Sequence, residues 1–171
     1  MFVEILKIVL PALLVFLAGY LALVAMIKND ANRRKSELVF NNIKVTLPLR
    51  LQAYERLILL LERISPESII VRVNKKGMLA SDLQSALLGN IRAEWEHNLS
   101  QQLYVSNEAW EMVRNAKENI VKLINISSDR VNPNETSLVL SQKILETMVE
   151  LDTNPVSYAV DFLKKEVKEI L

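Results

Sequence analysis

Between Ile8 and Ile27 the chain runs for twenty residues without a charge, and no other feature narrows its folding options as sharply. At 1.5 Å per residue, a helix of that length covers about the 30 Å hydrocarbon core of a bilayer. A helix packed on a water-soluble core keeps a polar stripe with a period of about 3.6 residues. This stretch is apolar on every face, relieved only by Gly19 and Tyr20. The run is long for a secretory signal, Glu4 precedes Lys7, and no small-residue cleavage site follows. Residues 1–28 therefore read as a transmembrane anchor. Pro11 lies near the helix start, where its missing N–H costs least. Gly19 with Ala18, Ala22 and Ala25 offers a small-residue face suited to another membrane helix.

The flanks set an orientation. Lys28, Arg33, Arg34 and Lys35 follow the run, while Lys7 is the only basic side chain before it. The positive-inside rule then puts the C-terminal part in the cytoplasm and the N-terminus outside. The same four residues are candidate contacts for lipid headgroups, each contributing on the order of 1 kcal/mol near an anionic leaflet. A formal charge of +1 conceals a division in the chain. Residues 28–76 hold eleven Lys and Arg against five Asp and Glu, net +6; residues 77–171 hold nine against fourteen, net −5. An acidic distal half without aromatic-basic interleaving would repel phosphate, which argues against a nucleic-acid partner. The absence of cysteine excludes disulfides, thiolate metal sites and thiol nucleophiles, and fits a reducing compartment.

Three glycines and five prolines are few for a β-rich fold with its many tight turns, so helices are expected to dominate. A basic connector, residues 29–46, should continue the anchor helix partway and break near Asn41 and Asn42. One helical bundle domain, residues 47–171, should follow, with about five amphipathic helices. The first carries Tyr54, Leu57, Ile58, Leu61 and Ile64 at helical spacing and stops before Pro66. Along it Glu55, Arg56, Glu62 and Arg63 read as a solvated face with ion pairs within the helix. "ESIIVRVN" is ambiguous between a short helix and an extended connector. Lys75-Lys76-Gly77 is a turn.

Ser81 with Gln84 forms a capping-box pattern for a helix to about Gln102, with an inner stripe of Leu83, Leu87, Ile91, Trp95 and Leu99. Ser106 caps the next helix, whose inner face is Ala109, Val113, Ala116, Ile120 and Leu123. Asn132-Pro133-Asn134-Glu135 combines a cap, a first-turn proline and a capping glutamate, and should open a helix burying Leu138, Ile144, Leu145 and Met148. Asn154-Pro155 repeats the device before Val156, Ala159, Leu163, Val167 and Ile170. Trp95 and Trp110 are expected to pack in the core.

The densest polar stretch surrounds the single histidine: Glu94, His97, Asn98, Gln101 and Gln102. Glu94 and His97 are three apart on one helix, so an acid/base pair is conceivable, but no Ser, Cys or second His completes a nucleophilic or zinc constellation. No Gly-rich phosphate loop or paired-glycine cofactor turn occurs. The residues read as a structural polar network or a partner-facing surface, with no catalytic, cofactor or metal residue assigned.

"EHNLSQQLYVSNEAWE", the preceding "LRLQAYERLILLLERISPE" and the single N-terminal span together resemble a family of uncharacterised bacterial membrane-anchored helical proteins. The resemblance implies a single-pass inner-membrane protein with a helical domain and transfers no catalytic residue. The expected function is a non-catalytic, membrane-tethered adaptor or accessory subunit, with the lipid bilayer and a protein partner or homo-oligomer as its contacts. The alternative is a peripheral module contacting anionic lipid; a hydrolase built on Glu94 and His97 comes third.

Overall fold

In a computed structural model the backbone is described for residues 2–150 and 154–171, and side chains for these except 2–15, 18, 22, 25, 30–32, 35, 36, 38, 39, 41 and 42. Among the described residues the chain is all-α: six α-helices and one 3-10 helix. By internal contacts it divides into residues 1–47 and 48–171.

Helix α1, Phe2–Ile64, runs without interruption through Asn41 and Asn42, so the break expected there does not occur. Two asparagines cost a helix only about 0.7 kcal/mol each relative to alanine, too little to stop it without a glycine or proline at that point. Local pairs support this stretch: Arg33 Nε donates to Glu37 Oε1 at 3.0 Å, and the Lys44 ammonium lies 4.4 Å from the Phe40 ring centre. Among the described residues no helix is long and apolar enough to cross a membrane. The run from Ile8 to Ile27 includes side chains 8–15, 18, 22 and 25, so much of the anchor read from the sequence, with Pro11 and the three alanines of the small-residue face, lies outside the described residues.

The second unit is built on the foot of α1. Ala53, Tyr54, Leu57, Leu60, Leu61 and Ile64 are buried, while Glu55, Arg56, Glu62 and Arg63 face outward. Ser65 then caps α2, Pro66–Val73, its Oγ accepting from the Ser68 N–H, with proline in the first turn. The ambiguous segment is thus a helix, and Ser65-Pro66 is the same start device as Asn154-Pro155. Gly77, at φ 86°, makes the following turn in a left-handed conformation that suits glycine alone.

Helix α3, Ala80–Asn98, starts one residue ahead of the expected cap. Leu79 occupies that position without a side-chain acceptor, and Asp82 Oδ2 accepts from the Leu79 N–H instead. The 3-10 helix Leu99–Leu103 ends this arm. Helix α4, Asn107–Ser128, follows the sequence closely: Ser106 Oγ accepts from the Ala109 N–H at 2.9 Å, and the whole expected inner face is buried. Helix α6, Pro155–Ile170, is likewise capped by Asn154, which accepts from the Val156 and Ser157 N–H groups.

Helix α5, Ser137–Glu150, departs from expectation. Asn132 to Glu135 forms a turn, with Asn132 Oδ1 accepting from the Asn134 N–H, and the helix begins only after it. The backbone there is engaged across the chain: Ala80 N–H donates to Glu135 O, Ser81 N–H to Pro133 O, and Ser137 N–H to Met78 O. These bonds form an antiparallel bridge between Leu79 and Thr136, and they outweigh the local capping signal. Leu140, Ile144 and Thr147 are buried and Met148 packs against the core, while Leu138 and Leu145, expected inside, are exposed. Helices α2 to α6 pack as a cluster in which α4 contacts α3, α5 and α6, and α5 also touches α2 and α3. This is not a simple succession of neighbours up and down.

Candidate functional site

Glu94 on α3 is the best-connected polar residue of the stretch singled out by sequence. Its Oε1 accepts from Arg63 Nε at 2.8 Å and lies 2.6 Å from Arg63 Nη2 and 3.8 Å from Arg72 Nη2. Arg72 Nη2 also donates to the Arg63 carbonyl at 3.2 Å. The carboxylate, only 17% exposed, therefore ties the end of α1 and α2 to α3. The expected pairing of Arg63 within its own helix is replaced by this contact between helices. Glu94 and His97 line one surface hollow of about 340 Å³ with Arg63, Asn90 and Ala93, but no hydrogen bond joins them. Contacts from two guanidinium groups on different helices to one carboxylate oxygen favour a fastening role.

The other members of the stretch do not converge on that hollow. Asn98 is buried and donates to the Glu94 carbonyl at 2.8 Å; Gln102 donates to the Leu99 carbonyl at 2.9 Å. Gln101 is buried beside Ser100 Oγ. Asn98 and Gln102 thus add side-chain bonds to carbonyls where α3 passes into the 3-10 helix, while Gln101 Nε2 donates to the Ser100 hydroxyl. Trp95 and Trp110 stack with ring centres 4.7 Å apart, and Lys117 covers Trp95 at 4.8 Å. They are partly buried at the α3–α4 contact, and Leu99, expected in the stripe, is exposed. Of the basic residues after the apolar run, Lys28, Arg33 and Arg34 are exposed and Arg33 pairs with Glu37; the Lys35 side chain lies outside the described residues.

The two helix–loop–helix units, α2–α3 and α4–α5, meet through their loops, a feature the sequence reading missed. Asn74 fastens them: its Nδ2 donates to Ser141 Oγ at 3.3 Å, and its Oδ1 accepts from Ser137 Oγ at 2.7 Å. Calcium-binding loops between helices need oxygen donors at places one, three, five and twelve, with glycine at six. Counted from Arg72, Gly77 takes place six and Asn74 place three, but Arg72, Lys76 and Leu83 stand where ligands belong. Counted from Asp129 in the second loop, Val131, Pro133 and Leu140 do. Leu83 and Leu140 are fully buried core residues, so this donor set does not fit calcium. Among the described residues no group of three acidic, His or Cys side chains is arranged to hold a metal.

At the foot of α1, the buried Tyr54 hydroxyl and Glu166 Oε2 lack hydrogen-bond partners of good geometry. Burial first, and then the neighbouring Glu166 carboxylate, raise the Tyr54 phenol above its usual range.

Fold and site together define an all-α protein: a long N-terminal helix leads into a cluster of shorter helices joined through two bridged loops. The chain belongs to a family of unknown function, DUF7935, whose model matches residues 1–170. No curated protein and no solved structure matches it.

Proposed function

We propose that this chain is a non-catalytic helical module, held to a bacterial inner membrane by α1 and serving as an adaptor or accessory subunit of a larger assembly. The observation that carries the reading is on α1: Phe16, Leu17, Tyr20, Leu21, Leu23, Met26 and Ile27 are between 47 and 77% exposed. At about 100° per residue they spread over more than half of the helix circumference. Apolar surface left in water costs about 25 cal/mol per Å², and a bilayer removes that cost. The charges after the run orient the helical domain toward the cytoplasm. Tethering raises local concentration, so weak contacts suffice for assembly.

Affinity purification of the full-length chain from its host in mild detergent, with mass spectrometry, tests the subunit reading. A stoichiometric partner supports it, and recovery of this chain alone under conditions that preserve known membrane complexes counts against it. The exposed Lys28 and Arg33 favour a second reading, contact with anionic headgroups, although Glu37 already offsets part of the Arg33 charge. Equal binding of the full chain to neutral and anionic liposomes would remove it.

A further inference from the structure

We propose that the outward side of α5 is a self-association surface that takes the same side of a second copy of this chain, running antiparallel to it. The surface presents Leu138, Gln142, Leu145 and Val149, all exposed, with Leu138 at 71% and Val149 at 75%. Their spacing of four, three and four is that of a two-stranded coiled-coil seam with one polar member. A helix whose other side is already packed has no use for three large apolar residues in water at that spacing. The seam lies in a groove of about 880 Å³, which meets a second hollow of about 620 Å³ at Leu138 and Ser141.

Charge selects the occupant. Lys75 and Lys76 line one end of this continuous groove, and Glu146 and Glu150 line the other. Glu146 and Glu150 pair with Lys143 and Arg130, but those cations do not line the groove, and exposed pairs of this kind hold weakly. A reversed second copy sets Leu138 against Val149 and Gln142 against Leu145. It also brings each lysine pair to the other copy's carboxylates. Both contacts occur twice, as a twofold interface requires. A parallel copy would instead bring like charges together. The patch is small beside the roughly 1,200 Å² of a stable interface, and Gln142, whose amide donates to Glu146 Oε1 at 2.9 Å, lowers affinity where it meets Leu145, so the dimer is weak and concentration-dependent.

The chain has no native cysteine, which makes the test direct. Full-length Leu138→Cys and Val149→Cys chains, distinguishable by mass, are mixed in mild detergent and oxidised. The expected product is the mixed disulfide, in excess over either like-with-like product. In parallel, Lys75→Glu/Lys76→Glu and Glu146→Lys/Glu150→Lys chains should each self-associate on the order of tenfold more weakly, and should regain the native affinity when mixed. Like-with-like Leu138→Cys disulfides, no disulfide at all, or a charge-swapped mixture no tighter than its components would overturn the proposal.

Discussion

Asn74 closes α2 with its backbone N–H on the Ile70 carbonyl, and its side chain joins the two loops. Asn74→Ala leaves the backbone bond in place and removes both side-chain bonds. Ser141 still donates to the Ser137 carbonyl at 2.8 Å, but the Ser137 hydroxyl, on a residue 4% exposed, loses its acceptor. An orphaned buried hydroxyl costs about 1–3 kcal/mol, and the longer bond to Ser141 adds less, so the expected loss is about 2 kcal/mol. For a domain of this size that lowers Tm by roughly 8 °C. Adding Ser137→Ala removes the orphan, and the double variant should recover about 1 kcal/mol relative to Asn74→Ala. Urea and thermal unfolding followed by far-ultraviolet circular dichroism reads both. A loss within about 0.5 kcal/mol of zero, or a double variant whose cost equals the sum of the singles, would refute the idea that this side chain fastens the loops.

Three further outcomes follow from local geometry. Gly77→Ala should destabilise by about 1 kcal/mol because its backbone is left-handed, whereas Gly89→Ala, in the interior of α3 with open space for a methyl, should stabilise by about 0.5–1 kcal/mol; chemical denaturation compares them. Glu94→Gln should cost about 1 kcal/mol and lose part of that effect at high salt, while the exposed His97→Ala stays within about 0.5 kcal/mol of the native chain in the same assay. Tyr54 is held above its unfolded value of about 10, so its contribution is complete below that pH and is lost as pH rises through the folded value. Tyr54→Phe should flatten that alkaline loss without weakening the fold at neutral pH, as unfolding measured from pH 7 to about 11.5 would reveal.

Where a cap and an apolar face agree and nothing distant competes, the helix was legible in advance. Ser106 with the face from Ala109 to Leu123 is one such element, and Asn154-Pro155 with Val156, Ala159 and Leu163 is another. The start of α5 was not legible, because the capping pattern at Asn132 to Glu135 is real but its carbonyls accept from Ala80 and Ser81, and the Ser137 N–H just after it donates to Met78, all far away in sequence. Of the face expected inside, Ile144 is buried and Met148 packs against the core, while Leu138 and Leu145 are exposed. Continuity of α1 was missed for the opposite reason: weak helix formers such as Asn41 and Asn42 read as a boundary, yet their cost is small beside that of ending a helix. In the polar stretch, composition located Glu94 but not its partners. Arg63 and Arg72 arrive from other helices, and spacing along one helix carries no trace of them.

Alkaline carbonate extraction of host membranes bearing the full-length chain tests the central claim most directly. A chain whose α1 lies in the bilayer stays with the membrane pellet after high salt and high pH, and floats with lipid on a density gradient. Release of the intact chain into the supernatant by the same wash, while integral proteins of that membrane remain in the pellet, would contradict the account.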